Sequence, residues 1–139
     1  MNIKINLLLA ALIMLLTGTA CATAPQVICP DINEIKAEQL AMSELIEENW
    51  YVAYGINYYN TNTIWAFVLL PIKADSEDSA LTKANEALST FTAPGVFKNY
   101  FDATICSYDT GRSDVFAAAI KDADFAKVAL FKQFINKVY

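Results

Sequence analysis

The sequence predicts an exported α+β domain in which helices cover one face of a four-stranded antiparallel sheet, in the order α-β-β-α-β-β-α. Three observations predict this class. The chain begins with a removable leader, aromatic and β-branched residues are dense in two neighbouring runs, and amphipathic stretches with helical spacing follow those runs. The part that remains after the leader has the size of one ordinary domain with one core.

Residues 1–22 are predicted to be a signal peptide that is removed on export. Lys4 supplies a positive charge, Ile5 to Leu16 is apolar at all positions but one, and Ala20-Cys21-Ala22 is an A-x-A-like cleavage site. The apolar run has about 12 residues, whereas a membrane-spanning helix needs about 20. The sequence therefore predicts a periplasmic or secreted protein without a transmembrane anchor, with residues 23–139 as its single domain.

Cleavage after Ala20 is the alternative to cleavage after Ala22. It would leave Cys21 at the new N-terminus, where a lipid can be attached in a bacterial lipoprotein. A lipid-attachment signal normally has Leu three residues before the cysteine, and Gly18 stands at that position. Release after Ala22 is therefore favoured, and lipidation of Cys21 stays open.

The exported part is acidic. Without Lys4 it contains nine Lys or Arg against fifteen Asp or Glu, so its formal net charge is −6. A surface of this charge repels phosphate backbones and anionic lipids. We therefore expect no nucleic-acid partner and no peripheral attachment to a membrane.

Cys29 and Cys106 are the two cysteines that remain, and in an oxidising compartment they are predicted to form a structural disulfide. The bond would close a loop of 77 residues, which chain-entropy estimates value at roughly 4 kcal/mol at best. The other interpretation, a redox-active or metal-binding pair of thiols, lacks a C-x-x-C spacing.

The first half of the domain is predicted to begin with a helix capped by Asp31. The stretch Glu38–Glu48 is ambiguous, and its pattern favours helix slightly over strand. Trp50–Tyr59 is predicted to be a strand that pairs in a hairpin with Thr63–Leu70, which Pro71 would end. The second of these strands is apolar on both faces and is therefore expected in the interior of the sheet.

The middle of the domain is predicted to contain the best helix, because its apolar residues recur with helical spacing. Asp75 or Ser76 would cap this helix, and Pro94-Gly95 would end it. The stretch Val96–Tyr100 is then expected to be a loop.

Two further strands and a last helix complete the predicted order. Ala103–Tyr108 and Asp114–Ile120 are the predicted strands, although the alanines of the second also suit a helix. Asp122 would cap the terminal helix, whose apolar stripe is formed by Phe125, Val128, Phe131, Ile135 and Val138.

The absence of histidine from the sequence removes the commonest general base and metal ligand. No metal site and no catalytic residues are predicted, and an enzyme is not expected. The acidic clusters are explained by helix capping and by solvated helix faces. Arg112, the sole arginine, stands near Asp109 and Asp114 and is expected to form a local ion pair.

Tyr54 and Tyr58 are the candidate ligand-binding residues. On a strand they would share one face with Trp50, and a tyrosine phenolate can ligate haem iron. The competing interpretation is that these aromatic rings only pack in the core or against neighbouring strands.

Short segments spread over nearly the whole exported part carry a family resemblance. They are the leader, Cys29-Pro30, Ile35-Lys36-Ala37, Tyr59-Asn60-Thr61 with Trp65, Ala74-Asp75-Ser76, Cys106-Ser107-Tyr108 and Asp114-Val115-Phe116-Ala117-Ala118-Ala119. Together they resemble small exported proteins of the Legionella type, a family largely of unknown function in which one branch is named haemin-binding protein. The resemblance implies an exported protein of an intracellular pathogen and suggests haemin as a ligand. It carries over no site residue.

Two functions of different classes follow. The first is a non-enzymatic exported binding protein that holds haemin between the hairpin and a helix, with Tyr54 and Tyr58 as contacts. The second is a secreted or periplasmic, virulence-associated interaction protein that acts through its surface and has no small-molecule ligand.

Overall fold

The computed structural model describes residues 20–100 and 103–122, which form two helices and six strands. In chain order the elements are α1 (Ile32–Glu38), β1 (Met42–Glu47), β2 (Trp50–Asn57), β3 (Trp65–Lys73), α2 (Glu77–Ser89), β4 (Val96–Tyr100), β5 (Ala103–Tyr108) and β6 (Phe116–Lys121). A sheet combined with helices confirms the predicted α+β class.

All six strands belong to one antiparallel sheet with the spatial order β1-β2-β3-β6-β5-β4. The prediction of four strands is wrong, and the described order is α-β-β-β-α-β-β-β instead of α-β-β-α-β-β-α. Each group of three consecutive strands is a meander, and the two meanders join where β3 pairs with β6. The two strands that the sequence did not predict, β1 and β4, are the two edges of the sheet.

β1 is a strand because the preceding helix ends abruptly. Gln39 has a left-handed backbone with φ of 61°, which interrupts a right-handed helix. The Leu40 N–H then donates to Asn85 Oδ1 at 2.8 Å, and Asn85 Nδ2 donates to the Leu40 carbonyl at 3.0 Å. The prediction of helix over Glu38–Glu48 is therefore wrong beyond Glu38. The bonds that fix Leu40 come from Asn85, 45 residues away in the sequence, so the local pattern of residues does not reveal them.

β4 lies where the sequence predicted a loop. Its residues pair with β5 from Val96 opposite Ser107 to Tyr100 opposite Ala103. Val96 and Phe97 are both exposed although successive strand residues point to opposite faces. The segment therefore lacks the alternation of apolar and polar residues by which a half-buried strand is recognised.

β3 continues through Pro71 to Lys73, so the prediction that Pro71 ends this strand is wrong. Pro71 follows a cis peptide bond and lies at a bulge, where the pairing with β2 shifts between Tyr51 and Ala53. Proline cannot donate to a sheet ladder, and a bulge is a position that tolerates this loss. The interior position of the strand, between β2 and β6, is confirmed.

Both helices begin as the sequence predicts. The Asp31 side chain caps α1 by accepting the N–H of Asn33 at 2.7 Å. Of the two candidate caps of α2, Ser76 is the one used, because its hydroxyl oxygen accepts the N–H of Ser79 at 3.1 Å. Each cap satisfies an N–H group that has no partner inside its helix.

The buried apolar residues form one cluster on each face of the sheet. The helix-side cluster joins both described helices to the sheet, and its large members include Ile35, Leu88, Phe91, Trp65, Phe67 and Leu69. The second cluster on the opposite face consists of Val52, Tyr54, Val68, Leu70, Ala118 and Ile120. Ala80 and Ala84 of α2 are fully buried, and their small size lets this helix approach the sheet closely.

Cys29 and Cys106 form the predicted disulfide, with Cα atoms 5.7 Å apart. Cys106 is a buried residue of β5, so the bond fixes the segment before α1 to the sheet. Tyr108 Oη supports this segment by donating to the Pro30 carbonyl at 2.7 Å. Gly95 packs against it so closely that a Cβ at that position would lie 2.8 Å from the Cβ of Cys29.

Residues 1–19 of the predicted signal peptide and the predicted helix after Asp122 lie outside the described residues. Residues 20–22 are exposed and have no regular structure, and the Cys21 thiol is free. Over residues 20–100 and 103–122 no helix is both long enough and apolar enough to cross a bilayer.

Replacing both disulfide cysteines, as Cys29→Ala with Cys106→Ala, should lower the free energy of unfolding by about 2–4 kcal/mol, because the unfolded chain loses its cross-link. Urea unfolding followed by circular dichroism measures this difference. A reductant should destabilise the wild-type protein by a similar amount and leave the double variant unchanged. Equal unfolding midpoints for the wild-type protein with and without reductant would contradict the prediction.

Candidate functional site

A groove of about 470 Å³ lies between α2 and one end of the β2–β3 hairpin. This is the end that contains the first residue of β2 and the last residues of β3. Its apolar lining comes from Ile72 and Val115, which are buried, and from Pro71 and Ala87, which are partly exposed. Val115 belongs to the connection that leads into β6. The groove therefore has the volume of a small-molecule site, and its lining is divided between apolar and charged side chains.

An exposed indole and two ammonium groups occupy one part of the rim. Trp50 is 42% exposed and lies opposite Lys73 in the β2–β3 pairing. The Lys73 Nζ is 5.8 Å from the centroid of the Trp50 ring, within the range of a cation–π contact. Lys83 of α2 donates from its Nζ to the Lys73 carbonyl at 3.0 Å. The first contact holds the Lys73 ammonium beside the indole, and the second holds the Lys83 ammonium beside the Lys73 backbone.

An ion pair occupies the other part of the rim. Arg112 donates from Nε to Asp114 Oδ1 at 3.0 Å and from Nη2 to Asp114 Oδ2 at 2.8 Å, which confirms the predicted local ion pair. The hydrogen bonds and charge of Asp114 raise the pKa of Arg112, and those of Arg112 lower the pKa of Asp114. Both side chains are exposed, so water screens the pair and its contribution to stability is small.

The groove is more positive than residues 23–139 taken together. Lys73, Lys83 and Arg112 line it together with Glu86 and Asp114, so these side chains sum to a formal charge of +1, whereas residues 23–139 carry −6. Because Arg112 is already paired with Asp114, the two lysines are the cations that a ligand would meet. The arrangement suits an anion that also has a flat apolar part.

Tyr54 is placed in the second cluster, with 3% of its surface exposed. Its Oη donates to Glu44 Oε1 at 2.5 Å. Burial, followed by this hydrogen bond and the negative charge of Glu44, raises the pKa of Tyr54 to about 12. Near neutral pH the phenol therefore keeps its proton, and ligation of a metal through the phenolate would require the bond to Glu44 to break.

Tyr58 lies beyond β2, which ends at Asn57, and is 53% exposed. The alternation of side chains along a strand therefore does not apply to it, and β2 does not place Tyr54 and Tyr58 as a pair on one face. At about 3.3 Å per residue, β2 separates Trp50 from Asn57 by about 23 Å, and Tyr58 follows Asn57. The described residues that line the groove include neither tyrosine, and a ligand-binding role of Tyr54 and Tyr58 stays a prediction.

The sequence does not predict the groove, because the residues that line it are far apart in the chain. Trp50, Lys73, Lys83 and Arg112 come from β2, β3, α2 and the connection between β5 and β6. No spacing rule links these positions, and only the crossing of α2 over the hairpin brings them together. The one available signal was compositional, since the groove holds three of the nine cationic residues in residues 23–139.

Within residues 20–100 and 103–122 no three or more Cys, Asp or Glu side chains lie close enough together to hold a metal ion. The sequence contains no histidine.

Comparison with known proteins gives one match. A family model described as a domain of unknown function, DUF4949, matches residues 28–134. No curated protein matches the chain, and no solved structure matches it.

The free energy of unfolding should fall as the pH rises from about 10 to about 12, because Tyr54 ionises near 10.0 in the unfolded chain and only near 12 in the folded protein. Urea unfolding at several pH values in this range measures the fall. Tyr54→Phe should reduce this fall in the free energy of unfolding. Glu44→Gln, which keeps an acceptor for the Tyr54 hydroxyl and removes the charge, should reduce it less. An equal fall in the wild-type protein and in Tyr54→Phe would contradict the prediction.

Proposed function

Since the match spans more than half of its length, the chain belongs to the DUF4949 family of unknown function, and we propose that it is a non-enzymatic exported binding domain for a flat, anionic small molecule. Haemin is the first ligand to test, because it combines a planar aromatic ring system with two carboxylates.

The observation that carries this proposal is the pairing of an exposed indole with two ammonium groups in an otherwise acidic protein. The Trp50 ring offers a surface on which a planar ligand can stack. Lys73 and Lys83 offer charge-assisted hydrogen bonds to carboxylates at the edge of such a ligand. The buried apolar side chains of Ile72 and Val115 would contact the rest of its surface.

Export and the absence of catalysis are supported by other features. The Cys29–Cys106 disulfide is typical of an oxidising compartment, which agrees with the predicted leader. The lack of histidine disfavours general base catalysis by the residue that most often performs it. The lysines of the groove are suited to charge recognition.

A second candidate function is that of an interaction protein which binds another protein chain through its surface. The observation that favours it is the exposure of apolar side chains on both edge strands, namely Leu45 on β1 and Val96 and Phe97 on β4.

Titration of the processed protein with haemin should give a saturable shift of the Soret band. Trp50→Ala should weaken binding, because the stacking surface is lost. The double variant Lys73→Met with Lys83→Met should weaken it about tenfold, because two exposed ion pairs to carboxylates are lost while the length of the side chains is kept. Lys36→Met, on α1, is the matched control and should bind as the wild-type protein does.

The same titration separates the groove from the site predicted at Tyr54 and Tyr58. If haemin binds in the groove, Tyr54→Phe and Tyr58→Phe should keep the wild-type spectrum and affinity. Loss of the Soret shift in either of these variants, with no effect of Trp50→Ala, would place the ligand at the tyrosines and contradict the groove assignment. Uptake that does not saturate would contradict the binding function itself.

A further inference from the structure

Over residues 20–100 and 103–122, the two edges of the sheet have no further strand beside them, and they differ in charge. β1 and β4 are the outermost strands, and in the part of the chain that the structure describes no strand pairs with the outer side of either. An edge strand presents unpaired N–H and C=O groups, which native proteins usually protect with charges, bulges or short strands. The chemistry of an edge strand therefore determines which strand can pair with it.

β4 offers apolar groups and one positive charge. Val96 and Phe97 are 56% and 47% exposed, and Lys98 is the only charged residue of the strand. The pairing of β4 with β5 is regular from Val96 to Tyr100, so no bulge turns this edge away. A strand added at this edge would shield apolar surface on both faces of the sheet.

β1 offers the complementary chemistry. Glu44 and Glu47 give this strand two negative charges, and Leu45 between them is 48% exposed. Tyr54 donates to Oε1 of Glu44, and a carboxylate has a second oxygen that can accept from a cation.

We propose that the outer edge of β4 pairs antiparallel with the outer edge of β1 in a second copy of this chain, in a head-to-tail contact that continues the sheet. One register matches the chemistry of the two edges, with Lys98 opposite Glu44 and Phe97 opposite Leu45. It aligns residues 97–100 of β4 with residues 42–45, the part of β1 that precedes its bulge.

The faces of the two strands agree in this register. Leu45 lies opposite Tyr51, and Phe97 lies opposite Cys106. Tyr51 and Cys106 both belong to the helix-side cluster, so Leu45 and Phe97 point to that side of their sheets. The second copy would therefore continue the sheet with its helices on the same side.

The backbone of β4 also fits. Tyr100 and Ala103 pair with two residues between them in the sequence, and in antiparallel hairpins residues paired at this separation are hydrogen-bonded to each other. Hydrogen-bonded and non-hydrogen-bonded pairs alternate along an antiparallel ladder. This alternation directs the N–H and C=O groups of Phe97 away from β5, toward the open edge.

The backbone of β1 matches that of β4. Glu47 and Trp50 close a hairpin of the same length, and the bulge between Leu45 and Glu47 shifts the alternation by one residue. The N–H and C=O groups of Leu45 then also point outward. Leu45 and Phe97 can therefore exchange two hydrogen bonds. The adjacent charged pair falls at a non-hydrogen-bonded position, where opposite side chains are closest.

The association should be weak, and it should form an open-ended assembly and not a closed oligomer. A single strand pair buries much less than the roughly 1,200 Å² of a standard stable interface. The net charge of −6 also opposes the approach of two copies. Because the contact joins two different edges, each added copy leaves one β1 and one β4 edge open, and the assembly can grow beyond a dimer.

Sedimentation velocity of the processed protein over a range of concentrations tests the proposal. The weight-average mass should rise with concentration and pass that of a dimer. Lys98→Glu should weaken the association about tenfold, because a like charge then faces Glu44. Glu44→Gln should also weaken it, and this variant keeps an acceptor for the Tyr54 hydroxyl so that folding is preserved. Lys36→Glu, on α1, is the matched charge reversal and should associate as the wild-type protein does.

The double variant Lys98→Glu with Glu44→Lys should recover the association that Lys98→Glu loses, because the pair is then reversed. If this double variant does not fold by circular dichroism, Lys98→Glu and Glu44→Gln decide the outcome. A wild-type protein that sediments as a monomer at every concentration would overturn the proposal. So would association that is weakened by Lys98→Glu and unaffected by Glu44→Gln, since β4 would then pair with something other than β1.

Discussion

Burial of β3 on both faces is the constraint on which the rest of the structure depends. Trp65, Phe67 and Leu69 pack on the helix side, Val68 and Leu70 pack on the opposite side, and all five are almost fully buried. Burying each large apolar side chain contributes about 1.5–3 kcal/mol. Such a strand needs a neighbour at each edge, and β2 and β6 fill these positions and join the two meanders.

The groove and the open edges both follow from the central place of β3. The chain leaves β3 at Lys73 and enters α2 at Glu77, so this helix crosses back over its own hairpin. Lys83 thereby reaches the Lys73 carbonyl, and the connection into β6 brings Val115 to the same groove. With β3 and β6 in the middle, β1 and β4 are left at the edges, where Glu47 and Lys98 are exposed and Glu44 is partly buried.

Features determined by neighbours in the sequence could be predicted, and features determined by distant contacts could not. The cap side chains of Asp31 and Ser76 accept hydrogen bonds from N–H groups two and three residues away. The continuous apolar run of β3 is by itself enough to predict an interior strand. β1 depends on the bonds between Leu40 and Asn85, 45 residues apart. β4 has no alternating pattern of apolar and polar residues, because both of its faces are exposed. The groove side chains come from four separate segments, which only the packing of α2 and of the β5–β6 connection brings together.

Binding of haemin in the groove is tested most directly by following the backbone amide signals of the isotope-labelled protein during titration with haemin. The iron is paramagnetic and broadens signals from nearby nuclei. The amides of Trp50, Lys73 and Lys83 should therefore lose intensity first, while those near Tyr54 and Tyr58 persist. Selective loss of signals around Tyr54 and Tyr58, with those of the groove unchanged, would contradict the assignment of the site.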